Sequence, residues 1–360
     1  MAAAHVAIVH DYLTQRGGAE RVVLAMLRAL PDARLYTALY EPSATYAEFS
    51  DFDVRTLWTS RIAALRADHR RGLPIYPGVF TQLRVDADVT VCSSSGFAHG
   101  VRASGRKVVY CHTPARWLYE ESRSYLSAAS PAIRIGLRAI APALRRWDRR
   151  AATGADVYLT NAQHIRDRIE RTYGIRAQVL PPGVDVDVHR PKSEVPGLAP
   201  GFILCVARLV SYKHVSAIVG AFERLPDLTL VVVGDGPERS ILERSLPSNV
   251  RLLGSVTDAE LAWLYANCAG FVAASREDFG LTPLEAAAFG KPAAVLRFGG
   301  FLDTVVEGET GVFFDSPEAG AIAAAIRALL AHAWSSDRLE AQAQRFSNDV
   351  FAEAFRAAIL

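Results

Sequence analysis

Cysteine is scarce in this chain. The four present, Cys92, Cys111, Cys205 and Cys268, sit in apolar segments with no paired spacing. Their scatter excludes a disulfide framework or a cysteine zinc site and points to packing thiols in a reducing compartment. An excess of charge of one sign is also missing: 40 Lys and Arg against 38 Asp and Glu leave a net charge of +2. No global field therefore draws the chain to nucleic acid. No apolar run approaches the ~20 residues needed to span a bilayer. The start, Met1-Ala2-Ala3-Ala4-His5, lacks the basic and long apolar regions of a signal peptide. The expectation is a cytoplasmic protein, which also disfavours a periplasmic binding protein. The three-glycine dinucleotide fingerprint is absent as well. Gly234-Asp235-Gly236 meets Arg239 where the third glycine would fall, so a nicotinamide oxidoreductase is disfavoured.

What the chain does contain is alternation. Half of its 360 residues are apolar, enough for two domains that each bury a core. Short apolar runs at 6–10, 35–40, 54–58, 89–92, 108–111 and 157–161 read as strands, and a second series follows at 202–209, 228–233, 250–254, 270–274 and 293–296. Helical stretches with short turns separate them, which predicts an α/β fold with parallel sheets covered on both faces. Three prolines and a glycine in 191–200 read as a linker. The expected domains are 1–192 and 193–346, with a terminal helix over 347–360.

One further segment stands out for its charge. Arg134, Arg138, Arg145, Arg146, Arg149 and Arg150 recur among Ile133, Ile135, Leu137, Ile140, Leu144 and Trp147. This predicts a basic amphipathic helix over 133–151, broken near Pro142, able to lie on an anionic membrane surface. A connector helix with solvated arginines has the same pattern.

Chemistry concentrates in Ser275-Arg276-Glu277-Asp278-Phe279-Gly280-Leu281-Thr282-Pro283-Leu284-Glu285-Ala286. Glu277 is expected at a strand's carboxyl end. Glu285 is expected in the first turn of the next helix, with Thr282 as N-cap and Pro283 just inside. In open parallel sheets ligands bind at the strands' carboxyl ends. Free helix N–H groups favour phosphate, and carboxylates accept hydrogen bonds from hydroxyls. Phosphate and polyol together suggest a nucleotide sugar. Arg208 and Lys213 follow another strand, five residues apart, a fork and a point charge suited to a diphosphate. His112 ends the 108–111 strand, and Gly17-Gly18 open the helix after 6–10. Taken singly, each also fits an ordinary role: a structural histidine, a tight turn, solvated charges.

In context these residues resemble one family. Glu277-x-Phe279-Gly280 followed by Pro283-Leu284-Glu285-Ala286, between strand and helix, resembles the donor-site signature of retaining glycosyltransferases of family 4, which have the GT-B fold. His10-Asp11-Tyr12-Leu13 with Gly17-Gly18-Ala19-Glu20-Arg21-Val22 is similar to the family's first loop. His112-Thr113-Pro114-Ala115-Arg116-Trp117 is similar to its active-site histidine segment, and Arg208-Leu209 with Lys213 to its diphosphate-binding pair. The resemblance spans nearly the whole chain and is strongest in the second domain.

It implies two Rossmann-like domains facing an interdomain cleft, the last helix returning to the first. His112, Glu277, Arg208 and Lys213 would be catalytic. Glu277 would bind sugar hydroxyls and Glu285 ribose hydroxyls. Asp278, Phe279, Gly280 and Leu281 would line the diphosphate and sugar, with Gly234 and Gly236 near the nucleotide and Gly17 and Gly18 near the diphosphate. Tyr12 and Arg116 are the acceptor-side candidates. The implied reaction is retaining hexosyl transfer to a hydroxyl acceptor, with a lean to mannose from GDP-mannose. A departing-phosphate oxygen would take the acceptor proton, with no separate general base. Asp303 stands where many relatives have glutamate, which bears on donor preference.

No cofactor or metal is expected. Asp86-Ala87-Asp88 precedes its strand, and Asp185-Val186-Asp187 lies near the linker, so both read as structural. Glycan, lipid-linked sugar and small-molecule acceptors all remain open. The alternatives are a nucleotide-sugar epimerase of this fold, which would turn over donor without acceptor, and a non-catalytic binder, which would not turn over.

Overall fold

The computed structural model describes residues 4–119 and 131–360, without the side chains of 131–135, 137 and 138. The chain forms two compact units. One is Met1–Gly183 with Phe351–Leu360, and the other is Val184–Val350. The proline-rich stretch 191–200 thus lies inside the second unit.

The first unit is built on β1 (Val6–His10), β2 (Arg34–Thr37), β3 (Val54–Thr56), β5 (Val89–Ser94), β7 (Arg106–Cys111), β8 (Val157–Thr160) and β9 (Gln178–Val179). They form one sheet in the order β3-β2-β1-β5-β7-β8-β9, parallel at every pairing. A separate ribbon pairs β4 (Arg84–Val85) with β6 (Arg102–Ala103). Strands buried on both faces have no solvent side, so β1 and β5 are apolar or small at nearly every position and buried throughout.

The second unit holds β10 (Ile203–Val206), β11 (Leu230–Val233), β12 (Val250–Gly254), β13 (Gly270–Ala273), β14 (Ala293–Leu296) and β15 (Gly311–Phe314). Their order is β12-β11-β10-β13-β14-β15, again all parallel. Each sheet therefore reverses its strand order once, between β1 and β5 in one unit and between β10 and β13 in the other. Such a reversal opens a crevice at the strands' carboxyl ends.

The terminal helix Asn348–Ile359 carries Phe351, Phe355 and Ile359 on one stripe, all buried in the core around Ile8, Val23 and Tyr110. Arg356 donates to the Ala29 carbonyl at 3.1 Å, and Arg106 to that of Ile359 at 3.0 Å. All four cysteines are free and buried. Burial pushes the thiols of Cys92, Cys205 and Cys268 up to about 12.

Two local expectations need correcting. The helix Pro131–Thr153 runs through Pro142 without a break. A single proline forfeits one ladder bond, and the bonds on either side keep the helix going. Helix Leu281–Ala288 is capped by Gly280, so Thr282 is its second residue and Glu285 its fifth. The left-handed backbone of Gly280, φ +90°, turns the chain into the helix one residue pair earlier than a threonine cap would. After Lys213, helix Val215–Ala221 runs on into the 3₁₀ turn Phe222–Arg224.

Candidate active site

In the second unit the strand-order reversal places two loops side by side. One follows β10 and carries Arg208, Tyr212 and Lys213; the other follows β13 and carries Ser275, Glu277 and Asp278. Lys213 Nζ donates to Glu277 Oε1 across the gap, and Ser275 Oγ donates to the same oxygen at 2.8 Å. The two charged side chains are only 14% and 24% exposed. Burial by itself would raise the Glu277 carboxyl. The Lys213 charge and the hydrogen bonds from Lys213 and Ser275 outweigh it, so the group lies below the ordinary carboxylate range. Glu277 is therefore a held anion that accepts hydrogen bonds, and Lys213 is a cation held at the strand ends.

Tyr212 gathers the two basic side chains. Its hydroxyl accepts from Arg208 Nη2 at 2.9 Å, and its ring lies 5.3 Å from Lys213 Nζ. His214, φ +51°, is the non-glycine residue in left-handed backbone among those described. It ends the Ser211–Lys213 turn and caps the next helix, a strained conformation of the kind that clusters at functional sites.

Helix Leu281–Ala288 starts beside this pair with no side chain capping its amides, which leaves an anion-favouring terminus. Glu285 is 5% exposed and accepts from the Tyr265 hydroxyl at 2.7 Å. Phe279 is buried and meets Phe346 edge-on at 5.7 Å. A Cβ on Gly300 would fall 2.1 Å from the Phe279 Cα, and the Gly300 amide donates to the Glu277 carbonyl at 3.1 Å. Gly300, which caps the short helix Phe301–Thr304 that carries Asp303, thus props the Glu277–Phe279 backbone. Gly234 and Gly236 work the same way. Their missing side chains make room for the carbonyl oxygens of Ala207 and Leu209, which lie 2.0 and 2.4 Å from where a Cβ would stand. They clamp the Arg208 loop to the one after β11.

In the first unit, His10 ends β1, Ser93 is next to last in β5 and His112 follows β7. Ser93 Oγ lies 3.0 Å from His10 Nδ1 and 2.8 Å from His112 Nε2, and all three residues are buried. The Asp11 carboxylate, 2% exposed, accepts the amides of Ser95, Phe97 and Ala98 at 2.6, 3.0 and 2.6 Å. Gly17 caps the helix Gly18–Ala29, and a Cβ there would strike Glu20 Oε2 at 2.5 Å. A side chain at 17 would therefore have to displace the buried carboxylate of Glu20 in the first helical turn. Tyr12 stacks on His69 at 4.2 Å. Arg116 is half-buried in the turn after His112, next to Trp117, which stacks on Phe97 at 5.4 Å.

The Asp-x-Asp pairs serve local structure. Asp86 accepts from Ser104 Oγ at 3.1 Å and Asp88 from the His5 amide at 2.8 Å. Asp185 and Asp187 accept the amides of Asp187 and His189. Among the described residues no three His, Cys, Asp or Glu side chains gather to hold a metal ion.

Two family profiles divide the chain between them. That of glycosyltransferase family 4 matches residues 16–188, and that of glycosyl transferases group 1 matches 189–346. The chain belongs to glycosyltransferase family 4. Solved structures share its GT-B fold. Anabaena HepE in complex with UDP and glucose aligns over 99% of both chains with a TM-score of 0.71 at 18% identity. Sucrose-phosphate synthase from Thermosynechococcus elongatus aligns over 98% of both with a TM-score of 0.72 at 17% identity. Among curated relatives, a GDP-mannose-dependent alpha-(1-6)-phosphatidylinositol monomannoside mannosyltransferase of Mycolicibacterium smegmatis is 30% identical over 53% of this chain and 57% of its own. Glycogen synthase of Mycobacterium tuberculosis is 29% identical over 54% of this chain and 50% of its own. The chain thus spans about half the length of the curated relatives it matches.

Of the residues that hold this family 4 site together, Tyr212, Tyr265 and Ser93 stand outside the motifs quoted from the sequence, while Ser275, His10 and Asp11 lie within them without an assigned role. Tyr212, Ser275 and Tyr265 hold Arg208, Glu277 and Glu285; Ser93, His10 and Asp11 order the strand ends around His112. Tyr212 has a local signal in its place between two basic residues. Ser93 and Tyr265 carry none, because their partners are remote in sequence.

Proposed function

We propose that this family 4 chain moves a hexosyl group from a nucleotide sugar to a hydroxyl acceptor, without a metal and with retention at the anomeric carbon. The observation that carries the reading is the Lys213–Glu277 pair across the strand-order reversal, beside helix Leu281–Ala288, whose Gly280 cap has no side chain to bond its first amides. Leaving-group charge needs cationic stabilisation. Arg208 and Lys213, gathered by Tyr212, supply it, while Glu277 offers its carboxylate to sugar hydroxyls. The diphosphate oxygen would take the acceptor proton on the face it leaves. The His112 segment and the GDP-mannose-dependent relatives support GDP-mannose as donor. The acceptor is a glycan, a lipid-linked sugar or a small molecule.

Calorimetric titration with GDP, UDP, ADP and dTDP in EDTA tests the donor site. Micromolar binding of GDP is expected. Preference for another nucleotide would replace the donor, and binding by none would remove the metal-free site. Among the described residues no helix is long and apolar enough to cross a membrane. The basic helix Pro131–Thr153 exposes Ile140, and its peripheral contact with anionic lipid is part of the proposal. The contributions of Ile133, Arg134, Ile135, Leu137 and Arg138 lie outside the described side chains. Flotation with anionic vesicles checks the contact. Buried free thiols fit a reducing, cytoplasmic setting.

A further inference from the structure

We propose that His10 and Ser93 are positioning residues that hold neutral His112 in one tautomer, with its ring proton on Nδ1. The inference rests on the reading that His112 serves the transferred sugar, and it deepens that reading.

The direction of the chain of hydrogen bonds follows from its first link. His10 Nδ1 lies 3.1 Å from the Ser93 carbonyl oxygen and 3.0 Å from Ser93 Oγ. A carbonyl oxygen only accepts, so His10 Nδ1 must carry a proton and donate. Ser93 Oγ shares that donor and has one hydrogen of its own to give. Its other neighbour is His112 Nε2 at 2.8 Å. The hydroxyl donates there, and Nε2 is the acceptor. A neutral imidazole holds one proton, so in His112 it sits on Nδ1. One fixed carbonyl thus sets a polarity that passes through two side chains to a third.

The surroundings keep the chain in place. His10, Ser93 and His112 are 2%, 0% and 6% exposed, so water does not compete for their bonds. The His112 amide donates to the Ser94 carbonyl at 2.9 Å, and the Tyr110 ring lies 5.2 Å from the imidazole. The Asp11 carboxylate pins the backbone just after Ser94. A purely structural role would need these bonds for stability and would be indifferent to which nitrogen of His112 is protonated. A role in transfer would not, because an Nδ1–H can donate to a sugar oxygen and cannot act as a base.

The test uses the full chain labelled with ¹⁵N-histidine, at a pH where the imidazoles are neutral; His112→Asn and His10→Asn assign the two rings. Nitrogen shifts and proton couplings then read the protonated nitrogen of each. Wild-type protein should show Nδ1–H on both. Ser93→Ala should move the His112 proton partly to Nε2, and Ser93→Thr, which keeps the hydroxyl, should restore the wild-type pattern. An Nε2–H tautomer in wild type, or an unchanged His112 pattern in Ser93→Ala, overturns the proposal. In donor turnover Ser93→Ala should lower kcat by about tenfold with little change in donor KM. It should cost nothing further on a His112→Ala background. A tautomer shift with wild-type turnover would uphold the positioning and remove His112 from the reaction.

Discussion

The two sheets reverse their strand order in the same way, yet the reversals are bridged by opposite chemistry. Between β1 and β5 the bridge is buried and internally satisfied: His10 to Ser93, and Asp11 to three amides. Between β10 and β13 it is an ion pair that remains in reach of solvent, Lys213 to Glu277, at the open end of a helix. A buried carboxylate that spends its lone pairs on backbone amides is committed to the fold. A partly exposed ion pair is not, since an incoming anion can draw the lysine and incoming hydroxyls can reach the carboxylate. The first crevice is built to hold residues still, the second to exchange partners.

The sharpest way to break this contrast is kinetic. Glu277→Gln and Lys213→Ala should each lower donor turnover by roughly 10²–10³-fold while the thermal transition of the protein stays close to wild type. Near-normal turnover measured by diphosphate release would remove the pair from the reaction. Asp11→Ala should do the reverse. Three buried amides lose their acceptor, so the first unit should lose about 3 kcal/mol, read by denaturant titration, while nucleotide affinity is retained. Unchanged stability would mean that the loop after β5 has another anchor.

A smaller effect is expected in acid. The folded Glu277 carboxyl is depressed, so its contribution is present above the unfolded carboxylate range and lost as pH falls through the lower folded value. Thermal unfolding followed downward from pH 6 should therefore be less steeply acid-sensitive in Glu277→Gln than in wild type. Parallel curves would show that the ion pair adds nothing to folding.

Much of this architecture is legible in local pattern. Apolar runs such as 270–274 and 293–296 announce buried parallel strands because both faces are covered, and β13 and β14 occupy nearly those residues. The helices Ala319–Ala331 and Ser336–Gln344, and β15, are not announced in the same way; an alanine-rich run such as 319–331 buries one face without a strong polar counterpart. Thr282 misled because cap preference is a local statistic, whereas the cap was decided by Gly280 turning under Phe301, whose ring lies 2.6 Å from where a Cβ would be.

By itself, then, the sequence determined the α/β class, the strand-end positions of His112, Arg208, Lys213 and Glu277, and the family. Those properties reside in short windows of hydrophobic period and turn chemistry. Only the tertiary structure decided who meets whom. Lys213 reaches Glu277 over 64 residues of chain and His10 reaches Ser93 over 83, because parallel strands must cross over through helices and their order is set by packing of the whole sheet. The same packing separates a polar residue that locks the fold from one left able to change partners.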